Sequence, residues 1–132
     1  MTTLGIRRLA AMMVVGITLA PAAALAAGPA VLQVISVEVK GDRNAYYAQV
    51  KSLQAVAKRL GVPAVRVWRA SLAGEDADTI YIATEYESLA AMAAAQEKVQ
   101  ADAEWNKLLR ALDASGIRTV VGRSLLVDDT PQ

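Results

Sequence analysis

The stretch Ala64–Tyr86, AVRVWRASLAGEDADTIYIATEY, constrains the fold more than any other part of the chain. Two runs of alternating residues flank an acidic turn at Gly74-Glu75-Asp76, a pattern that predicts an antiparallel hairpin. On its first strand Val65 and Val67 share a face, opposite Arg66, Trp68 and Ala70. On its second, Ile80, Ile82 and Thr84 lie opposite Tyr81, Ala83 and Glu85. Matching apolar face to apolar face buries the valines beside the isoleucines. Arg66, Trp68, Tyr81 and Glu85 are then left on the far side, with Arg69 on the near one. Folding about the acidic turn sets Arg66 opposite Glu85 as a cross-strand ion pair.

Helical patterns bracket the hairpin. Asp42 or Asn44 caps a helix running to about Leu60, whose inward stripe is Tyr46, Val50, Leu53, Ala57 and Leu60. Gly61 stops it, Pro63 forbids continuation, and Tyr46 and Tyr47 are read as helix packing. Before it, Val31–Lys40 is a strand with Gln33, Ile35, Val37 and Val39 facing the helices and Val34, Ser36, Glu38 and Lys40 facing away. After the hairpin, Ser88 caps an alanine-dense helix from Leu89 to Ala101. Asp102 caps a further segment that carries Trp105, Leu108, Leu109 and Leu112 and ends at Gly116. Arg118–Asp128 is the last strand, with Val120, Gly122, Ser124 and Leu126 on one face and Val121, Arg123, Leu125 and Val127 on the other. The order β-α-β-β-α-β, with the second helix broken in two, predicts an α+β ferredoxin-like plait: an antiparallel sheet with both helices on one face. The other face would carry Val34, Trp68, Tyr81 and Leu125. A face that apolar predicts a homodimer with sheets packed face to face, and a cavity between sheet and helices.

Residues 1–26 have the three zones of a secretory signal. Arg7 and Arg8 form the basic region, Leu9–Ala20 the apolar run, and Ala24-Leu25-Ala26 the small-residue site after which cleavage is expected. Residues 27–132 then form a single domain, exported to the periplasm or beyond, without stable membrane insertion. The twin arginines match the Tat signal poorly, and no cysteine is present to carry a lipid. Cleavage takes two of the 14 basic residues and none of the 13 acidic ones, so net charge moves from +1 to −1. The remaining basic residues are spread rather than clustered, which argues against nucleic acid. Export brings no disulfide framework to a chain without cysteine.

The run VWRASLAGEDADTIYIATEYESLAAMAAAQEKVQADAEWNKLLRAL resembles the dimeric α/β-barrel superfamily, near its antibiotic-biosynthesis-monooxygenase-like and NIPSNAP-like members. The resemblance lies in a strand ending at a small-residue turn, a strand running into YESLAAMAAAQEK, and an Asp-Ala-Glu-Trp segment opening the last part of the helix. It implies a dimer with a pocket and no single chemistry, since the superfamily spans cofactor-free oxygenases, haem-degrading enzymes, isomerases and proteins of unknown role.

The chain has no histidine and no cysteine, which excludes histidine-dependent triads, thiol nucleophiles, ordinary zinc sites and haem ligation by either residue. Glu75, Asp76 and Asp78 crowd one turn and read as a solvated loop tip rather than a calcium site. No cofactor and no metal are expected. The candidate ligand-binding residues are Trp68, Tyr81, Arg66, Trp105, Asn106 and Arg123, with Tyr86 and Arg69 near them and Glu85 and Tyr81 as candidate proton acceptors. The leading expectation is an exported dimer that binds a small apolar or aromatic molecule. A cofactor-independent monooxygenase acting on an aromatic or quinol-type substrate is the first alternative, and a structural or interaction role in the envelope the second.

Overall fold

The computed structural model describes residues 28–72 and 74–131, so the expected leader and its cleavage after Ala26 lie outside the described residues. The elements follow the order β1 (Val31–Val39), α1 (Arg43–Arg59), β2 (Arg66–Arg69), β3 (Ile80–Tyr86), α2 (Leu89–Ala101), α3 (Ala103–Ser115) and β4 (Arg118–Val127). The four strands form one antiparallel sheet in the order β2-β3-β1-β4. This is the predicted α+β, ferredoxin-like plait. Among the described residues no helix is long and apolar enough to cross a membrane.

Each helix starts where a side chain can satisfy its first free amides. Asp42 Oδ1 accepts from Asn44 N at 2.8 Å, Ser88 Oγ from Ala91 N at 3.1 Å, and Asp102 Oδ1 from Trp105 N at 2.8 Å. Asp102 both ends α2 and caps α3, which is why one long helical pattern breaks there. At the other end of α3, Gly116 takes φ 65°, a left-handed conformation. A Cβ there would meet nothing within 4 Å, so only backbone strain opposes a side chain. Gly116→Ala is accordingly expected to destabilise by about 1–2 kcal/mol. A lower urea midpoint with an unchanged slope would be the readout.

Val37, Tyr46, Val50, Ile80 and Leu112 form one core cluster between the sheet, α1 and α3. Val31, Tyr86 and Ala95 form a second, between the other end of the sheet and α2. The inward sets predicted for β1 and β3 hold: Ile35 and Val39 pack against the first cluster, as does Ile82.

Three details of the sheet differ from the sequence expectation. Arg66 stands opposite Ala83, not Glu85, because Trp68 pairs with Tyr81 and Arg69 with Ile80. The turn centres one residue earlier than expected: Ala70 N donates to Thr79 O, Asp78 N donates back to Ala70 O, and Asp78 takes φ 72°. The two-residue shift preserves the faces but moves Glu85 one pair along from Arg66, and no Arg66–Glu85 ion pair forms. The second difference lies in β4, where Ser36 pairs with Gly122 but Val37 pairs with Val120, leaving Val121 as an inserted bulge. Val120 and Gly122, expected on one face, therefore lie on opposite faces. The third follows from the register: Leu126, opposite Leu32, lies on the uncovered face, while Leu125, opposite Gln33, lies on the helix side.

Candidate functional site

A cavity of about 370 Å³ lies between the sheet and the helices, lined by both core clusters. Tyr46, Val50 and Leu112 reach it from the first, Tyr86 and Ala95 from the second. The sequence explains why the two do not merge. Where α2 meets the sheet it offers the small Ala95, which packs on Val31 and Tyr86 but adds little volume toward the first cluster. On the strands, the opposed pair Gln33 and Thr84 puts polar groups where a sheet core ordinarily carries branched apolar ones. Trp105 and Leu109 of α3 and Val62 and Val65 of the α1–β2 connection complete an apolar wall. Gln54 Nε2 donates to Val65 O at 3.0 Å and fixes that connection.

Two arginines of β4 line the cavity, Arg118 and Arg123. Their numbers differ by five, so an unbroken strand would place them on opposite faces. The bulge at Val121 brings both to the helix side, Arg118 opposite Val39 and Arg123 opposite Ile35. Arg118 Nη2 donates to Asp113 Oδ1 at 3.1 Å at the end of α3, while its Nε is buried without a hydrogen-bond partner among the described residues. The hydroxyl of Tyr46, a residue with no exposed surface, is likewise buried and unpartnered. Burial pushes the Tyr46 phenol above its ordinary pKa, and the nearby Arg118 charge pulls it part of the way back. The two groups are close without aligning donor to acceptor. Burial also raises the Tyr86 phenol.

The candidate residues read from sequence divide between the two sides of the sheet. Trp105, Arg123 and Tyr86 line the cavity. Arg66, Trp68 and Glu85 line instead a groove of about 440 Å³ on the uncovered face, where Leu32, Ala83 and Leu126 join them. Tyr81 stands beside Trp68 on that same face. A monooxygenase using Glu85 or Tyr81 would thus have its proton acceptor across the sheet from the cavity. Asn106 faces neither: its Nδ2 donates to Gln100 O at 2.8 Å and Asp102 O at 3.0 Å, so it braces the break between α2 and α3. The same joint is held to α1 by Arg59, whose Nη2 lies 2.8 Å from Asp102 Oδ2 and 3.1 Å from Glu104 Oε2. The capping bond from Trp105 N, and then the Arg59 bond, hold the Asp102 carboxyl below its ordinary pKa. In the acidic turn Asp78 accepts from Arg69 at 3.1 Å and Arg43 at 3.4 Å. Among the described residues no three acidic side chains converge as metal ligands would.

Tyr46, Arg118 and Gln33 were not among the residues singled out from sequence. Tyr46 and Gln33 did carry a signal, each being a polar-tipped residue in an inward-facing apolar set. Arg118 carried none, since its facing depends on the bulge.

No protein-family model and no curated protein matches the chain. Solved structures do. A protein from Agrobacterium tumefaciens of the NIPSNAP family superposes with a TM-score of 0.58 at 17% identity, over 80% of this chain and 92% of that one. A second from the same organism, also NIPSNAP and of unknown function, gives 0.60 at 16% identity over 78% and 93%. The fold is that of NIPSNAP proteins. A Bacteroides thetaiotaomicron protein described as of unknown function and a possible oxidoreductase shares it at a TM-score of 0.54 and 14% identity, over 76% of this chain and 99% of that one. At these identities the NIPSNAP likeness concerns the backbone alone, and the lining of the cavity is this chain's own.

Proposed function

We propose that the mature chain is an exported homodimer that binds a small apolar or aromatic molecule between its sheet and its helices. The observation that carries the reading is the divided core. Domain interiors pack with few voids larger than water, yet here about 370 Å³ stays open between two clusters that line it together. A space of that size, mostly apolar with a few polar groups, suits a small organic ligand. Export is supported by the leader pattern of residues 1–26, and the dimer by the apolar residues of the uncovered face. The NIPSNAP neighbour of unknown function shares the fold and names no reaction.

The test is a titration of the protein with the fluorescent aromatic probe 1-aminoanthracene. Emission is expected to rise with the native protein and to stay flat with Val99→Trp, because Val99 lines the cavity and the indole would fill it. No rise with the native protein, or an equal rise with the filled variant, would remove the reading and favour the interaction role.

A further inference from the structure

We propose that the ligand is an organic acid, with its apolar body in the cavity and its carboxylate paired with Arg123. This rests on the cavity being the binding site and adds the charge of what it binds. Arg118 and Arg123 both line the cavity, and no aspartate or glutamate does. Arg118 is offset by Asp113, but that side chain is 62% exposed and screened by water, whereas the Arg118 side chain is only 13% exposed. Arg123 forms no ion pair among the described residues. A cavity walled by low-dielectric side chains and holding two guanidinium groups without a lining carboxylate is positive inside, and it favours an anion over a neutral isostere.

The form of the anion follows from the surroundings. Arginine presents a planar fork of donors that matches a carboxylate in two parallel hydrogen bonds. Gln33 lies on the neighbouring strand, two residues from Ile35, the partner of Arg123, and so diagonal to it on the helix side; both line the cavity. The rest of the wall, including Val50, Leu109 and Trp105, is suited to hydrocarbon rather than to a multiply charged phosphate ester. The shape of β4 is what makes this possible, because the bulge at Val121 turns the second arginine inward.

Calorimetric titration of the purified protein with 2-naphthoate and with its neutral isostere 2-naphthamide tests the inference. The acid is expected to bind about tenfold more tightly or better, the scale of a charge-assisted hydrogen-bonded pair. Arg123→Gln, at an exposed position where folding is not at stake, should remove most of that advantage and bring the acid close to the amide in affinity. Asp113→Asn should leave the preference for the acid intact or increase it. Inorganic phosphate should not compete. Equal binding of acid and amide would overturn the acid inference and leave the cavity reading standing. A preference that survives Arg123→Gln, or that phosphate abolishes, would overturn it as well. Binding of neither naphthyl compound would remove the inference together with the reading beneath it.

Discussion

Leu112→Ala is expected to lower the unfolding free energy by about 2–5 kcal/mol. Leu112 is 1% exposed and lies at the contact of α3 with Val37, Tyr46, Val50 and Ile80. Removing its branched end takes apolar surface out of a packed cluster, and the void left behind adds to the loss. The cost belongs toward the upper part of the range because Leu112 also borders the cavity, so the new space joins an existing one instead of collapsing. For a domain whose whole stability is on the order of 5–15 kcal/mol, this is a large fraction. Urea denaturation followed by far-ultraviolet circular dichroism measures it. A loss below about 1 kcal/mol would mean that the first cluster is not the core of the domain.

Trp68→Glu is the second large effect, and it acts on assembly. Trp68 is 59% exposed on the uncovered face, beside Tyr81, and Leu126 across the same face is 54% exposed. Removing a tryptophan buried in a sheet-to-sheet contact would cost about 2 kcal/mol or more, which weakens a dimer roughly thirtyfold. In such a contact the introduced carboxylate would also lose water without gaining a cationic partner. Sedimentation velocity across a dilution series is expected to show a native dimer and a Trp68→Glu monomer at equal concentration. A native monomer at micromolar concentration would end the dimer proposal. A variant that stays dimeric would place the interface elsewhere.

The division of Trp68 from Trp105 shows what the sequence could carry. Both faces of the hairpin follow from alternation, and alternation survives a shift of two residues. That is why the faces of Arg66 and Glu85 were legible and their pairing was not. Pairing depends on where the turn closes, and here a left-handed Asp78 and a short helical turn at Gly74–Asp76 move the centre. The helices were legible to within a residue because Asp42, Ser88 and Asp102 are capping residues in front of periodic stripes. Asn106 was misleading for a related reason. A side-chain amide near a tryptophan suggests a binding group, but just past the end of α2 it also serves that helix's free carbonyls, and the latter holds here. Arg118 and Arg123 were the least legible. Periodicity separates them, and only the inserted residue between them reverses that result.

The extra residue in β4 has a consequence beyond the cavity. With strand order β2-β3-β1-β4, the two sheet edges fall on the four-residue β2 and the ten-residue β4. A short edge offers little to a passing chain, but a long regular one is a template for further strands and so for aggregation. Val121 interrupts the ladder within β4 and sharpens the local twist, and no unbroken run of ten amides is left along that edge. A protein at high local concentration would keep its longest exposed edge from growing into a fibre through one valine that fits neither register.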